Sequence, residues 1–137
     1  VDIAAVCTAG GISALTAADI IQAIDVPAES YIIHAGVEVL TALNGTTPTL
    51  DVDFAAGDDF VDGFDATGTG YAGAGTNGHV DYTAVTTFSN RITATDTIDI
   101  KVNAGANDVS TGKIRVYAIL ADISGLDETD SLQAVTF

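Results

Sequence analysis

Apolar residues recur at every second position on both limbs of the stretch from Tyr31 to Phe54. On the first limb they are Tyr31, Ile33, Val37 and Val39, and on the second Leu50, Val52 and Phe54. A period of two puts such residues on one face of a strand. Asn44-Gly45 lies between the limbs, and both residues tolerate the positive φ of a tight turn. The pattern predicts a long antiparallel hairpin, with Leu50, Val52 and Phe54 facing a core and Asp51 and Asp53 facing water.

The rest of the chain reads as further short strands. Residues 1–18 are small and apolar around Gly10-Gly11, which predicts an N-terminal arm or edge strand. In Asp19–Val26 the isoleucines 20, 21 and 24 also fit a helical stripe. Their β-branching and the following Pro27 favour a strand, with Val26 to Ser30 as a corner. Residues 55–78 form a Gly/Asp-rich loop, with a short strand or turn near Phe60–Phe64 and a surface excursion from Thr67 to Gly78. Its glycines lack a feeding strand, a following helix and a lysine, so they do not read as a phosphate cradle. Strands are expected near Val80–Val85 and Phe88–Thr93. Ile98, Ile100 and Val102 give the cleanest alternation, over Thr97–Asn103. Lys113–Ile123 carries Ile114, Val116, Ala118 and Leu120 on one face, and Tyr117 and Ile119 on the other suggest cover on both sides. Asp99, Lys101, Lys113 and Arg115 would gather outward as cross-strand charge pairs. Leu132–Phe137 would be a final edge strand. The sum is an all-β protein: a single antiparallel β-sandwich over residues 19–137, jelly-roll-like, of about eight strands.

Composition narrows the partners. The 137 residues suffice for one domain with its own core. Nineteen acids against four bases give a net charge of −15, and no Lys or Arg occurs before Arg91. Phosphate neutralisation needs a basic surface, so nucleic acid is not an expected partner, and anionic membranes are disfavoured for the same reason. No apolar run reaches the roughly 18 residues of a membrane helix, and no secretory leader is expected. Cys7 is the single cysteine, which excludes an internal disulfide and a cysteine zinc site.

The acids Asp51, Asp53, Asp58, Asp59 and Asp62, with Asp65 close by, are the candidate metal site. Calcium prefers six to eight oxygens from closely spaced carboxylates and carbonyls, although EF-hand spacing is missing because Ala55 stands where a third ligand belongs. A solvated acidic face is the plainer reading, and no other cofactor is expected. No pair of acids is singled out for glycoside hydrolysis, and there is no Trp for sugar stacking. His34 and His79 lack a paired motif, and Ser13, Ser30 and Ser89 lack a nucleophile elbow. The chain reads as a protein that is not an enzyme.

Six short motifs run in order across residues 20–123. They are Val26-Pro27-Ala28, Val37-Glu38-Val39, Leu50-Asp51-Val52, Asp62-Gly63-Phe64, Thr97-Ile98-Asp99-Ile100 and Thr111-Gly112-Lys113-Ile114-Arg115-Val116. In order and spacing they resemble small virion proteins of marine tailed bacteriophages. The resemblance implies a non-enzymatic β-sandwich that decorates or cements a capsid. Its implied partners are the major capsid protein and copies of itself, as a homotrimer, on the virion surface after assembly in the host cytoplasm. It transfers no catalytic residues. In such a protein the N-terminal arm and the 55–78 loop are the candidate contact elements, with Ile3, Val6, Ile12, Phe60 and Phe64 as anchors. The alternative for these residues is that they close the ends of the sandwich. Rival functions are a tail fibre or receptor-binding tip, and a calcium-dependent carbohydrate-binding or adhesion module.

Overall fold

A computed structural model describes residues 1–17, 19–54, 60–73, 91–103 and 109–125. The chain opens with a helix, α1 (Ile3–Gly10), where an extended arm was expected. Asp2 has extended backbone and accepts a hydrogen bond from the Ala5 amide at its Oδ1, as an N-cap does. Gly11 adopts the left-handed conformation at φ 67°, and the amides of Gly11 and Ile12 bond the carbonyls of Thr8 and Cys7. That is the Schellman closure, which needs the glycine. Ile3 and Cys7, four residues apart, are buried on one face of the helix. The sequence expectation missed the helix because small residues leave almost no periodic contrast.

Among the described residues eight strands follow: β1 (Ile20–Val26), β2 (Ser30–Thr41), β3 (Thr49–Phe54), β4 (Val61–Asp65), β5 (Gly70–Gly73), β6 (Arg91–Ile92), β7 (Asp96–Asn103) and β8 (Lys113–Asp122). They make two antiparallel sheets, the all-β sandwich that the alternation predicts. The first sheet has the order β1-β7-β3-β4. In the second, β2 is central, with β8 along one side and both β5 and β6 along the other. The connections β1 to β2 and β7 to β8 both cross between sheets, while β1 pairs β7 and β2 pairs β8. This interlocking is of the Greek-key kind. The strands expected at 80–85 and 132–137 lie outside the described residues.

The predicted Tyr31–Phe54 hairpin does not form, because β2 and β3 belong to different sheets. Gly45 has the expected positive φ, 108°, but Asn44 does not. The Asn44 side chain instead reaches across the fold. Its Oδ1 accepts from the amides of Ser110 and Thr111, both at 2.8 Å, and its Nδ2 donates to Ser110 Oγ. The connection is thus a tied crossing from one sheet to the other.

The core lies between the sheets. Leu50, Val52, Ile98, Ile100 and Val102 come from the first, and Ile32, Val37, Val39 and Ile114 from the second. Each such burial contributes about 1.5–3 kcal/mol. A bulge between Ile32 and His34 shifts the alternation of β2, so Ile32 points inward while Tyr31 and Ile33 are exposed. Tyr31 and Ile33 therefore do not share the face of Val37 and Val39, as a strict period of two had implied. The N-terminus is fastened to β8. Val1 exchanges backbone hydrogen bonds with Ile114, and the Ile3 amide bonds the Gly112 carbonyl.

Candidate functional site

The acidic candidates divide. Asp51 and Asp53, expected in water, are 1% and 4% exposed on the outer side of β3. Asp51 Oδ1 accepts from the Gly63 amide at 2.9 Å, and its Oδ2 accepts from the Asn103 side-chain amide. These bonds exist because a bulge in the β3–β4 pairing turns Asp62-Gly63 outward, with Gly63 at φ 65°. A carboxylate satisfied by two donors has a structural role of its own. Asp53 stands opposite Asp99, and Asp51 opposite Lys101. Asp62 is exposed, and Asp58 and Asp59 lie outside the described residues. Among the described residues, no group of three or more His, Cys, Asp or Glu side chains is arranged to hold a metal ion.

The proposed contact anchors divide as well. Ile3, Phe60 and Phe64 are buried in the core, Val6 is half-buried against it, and only Ile12 is exposed. For the three buried residues, closing the sandwich is the role the structure displays. The expected cluster of Asp99, Lys101, Lys113 and Arg115 does not exist either, because β7 and β8 lie in different sheets. Lys113 instead pairs with Asp2 at 3.3 Å, and Arg115 pairs with Glu38 at 2.8 Å.

A different surface stands out on the outer side of the second sheet. Tyr31 and Ile33 of β2 are exposed there, as is Ile119 of β8, which pairs with His34. The His34 and Tyr117 rings stack with centroids 5.7 Å apart and planes at 28°. Tyr117 lies across the central strand toward β5, its hydroxyl 3.4 Å from the Ala72 carbonyl. Two glycines in register, Gly36 and Gly73, make room for it. A Cβ on Gly36 would sit 2.5 Å from the Tyr117 hydroxyl, and one on Gly73 2.6 Å from it. Tyr71, 69% exposed, stands opposite Glu38. Burial raises the Tyr117 pKa above the ordinary phenol value, and nearby Tyr71 and Glu38 add to the effect.

No family model matches this chain, and neither curated proteins nor solved structures show a match. The reading of this face therefore rests on its own chemistry. It joins exposed aliphatic and aromatic side chains to two ion pairs, Glu38–Arg115 and Asp2–Lys113, that cancel charge locally. An open cleft of about 340 Å³ lies at the same end of β2 but toward the inner side of the sheet, lined by Pro27, Ala28, Ser30, Leu120, Asp122 and Ser124, and is not part of this face. The sequence did contain a signal for the face: Tyr117 and Ile119 are apolar residues on the second side of β8. That pattern suggests cover on both sides, whereas Ile119 is 53% exposed.

Proposed function

We propose that this chain is a structural protein of a phage virion, a capsid decoration or cement protein, working through protein–protein contacts rather than catalysis. The observation that carries the reading is the charge-balanced, partly apolar outer face of the second sheet on a chain of net charge −15. Exposed apolar side chains grouped on one face of a sheet are the usual mark of a contact surface. A high net negative charge elsewhere keeps crowded particles from aggregating. The order of short motifs over residues 20–123 points the same way. The major capsid protein is the proposed shell partner.

Mass spectrometry of purified particles from the source of this chain tests the reading. Copy numbers comparable to the shell subunit are expected. A handful of copies per particle would move the protein to the tail or a vertex, in the manner of a receptor-binding tip. Absence from particles would overturn the virion assignment.

A further inference from the structure

The charge pattern bears on what covers the outer face of the second sheet. A partner selected to recognise an acidic protein would be cationic and would dock on an acidic region. Two copies of this chain repel each other at almost any approach, because each carries −15. The repulsion is least where acids are already paired with cations. Lys113 and Arg115 both lie on the outer side of β8, paired with Asp2 and Glu38. The exposed apolar side chains Tyr31, Ile33 and Ile119 sit further along the same face. We infer that this face is the contact between two copies of the chain, related by a two-fold axis near Ile33 and Ile119, in place of the homotrimer that the resemblance implies.

The arrangement suits an isologous pair, in which each patch meets its own copy. Apolar residues would lie on the axis and the two ion pairs toward the rim, as in ordinary interfaces. Tyr117, held flat by Gly36 and Gly73, keeps the middle of the face level. The twelve residues of β2 span about 40 Å, and three adjacent strands about 14 Å. Because β5 and β6 together flank only half of β2, the area available is roughly 440 Å² per copy, or about 900 Å² in total, below the usual size of specific interfaces. A dimer that forms and dissociates readily is therefore expected. The inference rests on the reading of this face as a protein contact and gives the face to a second copy, so a shell protein would meet the chain at another surface.

Sedimentation equilibrium of the full chain, from about 10 μM to 1 mM and in low and high salt, reads the association directly. A monomer–dimer equilibrium is expected, tightening as salt screens the net repulsion. Ile33→Asp with Ile119→Asp should weaken it at least about tenfold, with an unchanged circular dichroism spectrum. Ile119→Lys alone serves if the double variant folds poorly. Ile20→Asp, at an exposed position of the first sheet, should leave association unchanged. A wild-type chain that stays monomeric at the highest concentration and salt overturns the inference. So does a dimer indifferent to the Ile33 and Ile119 changes. Particle copy number is measured separately, so the virion reading and this inference can fail independently.

Discussion

The Asp51 carboxylate accepts a hydrogen bond from the Gly63 amide at 2.9 Å, across the bulge that joins β3 to β4. With Asn103 on its second oxygen, Asp51 is a buried acid satisfied by its own neighbours. Asp51→Ala should cost about 1.5–3 kcal/mol, because it removes a charged acceptor from the Gly63 amide and the Asn103 side chain. Gly63→Ala should cost about 1–2 kcal/mol from its positive φ alone, since nothing lies within 4 Å of an added Cβ. Urea titration checks both. Chelation by EDTA should leave the Tm of the wild-type chain unchanged; a drop reversed by calcium would place an ion among these acids.

Gly36 and Gly73 lie side by side beneath Tyr117, but their obstacles differ. A Cβ on Gly36 meets backbone, the Ala72 carbonyl oxygen at 2.5 Å and Gly73 Cα at 2.7 Å. A Cβ on Gly73 meets only side-chain ends, the Tyr117 hydroxyl and the His34 ring. Gly36→Ala should therefore cost more, about 2–3 kcal/mol or above, because two strands must separate. Tyr117→Phe should partly rescue Gly73→Ala and do little for Gly36→Ala. A double-mutant cycle by thermal or urea unfolding reads the difference.

Acid and alkali should act on different groups. The carboxyls of Asp2, Asp65 and Asp122 are held below the ordinary value, mainly by Lys113, Thr67 and Ser124 respectively. Their stabilisation is present above the unfolded carboxylate pKa and is lost as pH falls through the lowered folded values. Tyr117 has the opposite sense. Its raised pKa gives stability that is complete below the unfolded phenol value and disappears as pH rises through the folded one. Thermal melts across pH should show a decline beginning below about 4 and another above about 10. Tyr117→Phe should flatten only the alkaline limb.

Removal of residues 1–12 should compromise folding. Ile3 and Cys7 belong to the core, and Val1 to Ile3 bond the start of β8. Ile3→Ala alone should cost about 2–5 kcal/mol, the usual range for a fully buried aliphatic. The Cys7 thiol, 4% exposed, should react with a soluble thiol reagent only on the unfolding timescale. A truncated chain that melts like the full one would restore the view of this segment as a detachable arm.

What the amino-acid order determined by itself was local and periodic. The alternation at Leu50 and Val52, and at Ile98, Ile100 and Val102, placed β3 and β7 and named their core residues. Pro27 and the β-branched run before it placed β1 and its corner, because these are short-range steric preferences. The tertiary structure decided which strands pair. Asn44-Gly45 looks like a hairpin turn, yet β2 finds β8 and β3 finds β7, since pairing follows burial summed over whole strands rather than the chemistry of one turn. Single-residue bulges decided which faces are apolar. One in β2 exposes Tyr31 and Ile33, and one in β4 brings the Gly63 amide to Asp51. A bulge shifts the parity of every side chain beyond it, and its position depends on the neighbouring strand. The candidate contact surface, assembled from β2, β5 and β8, therefore becomes visible only when those strands lie side by side.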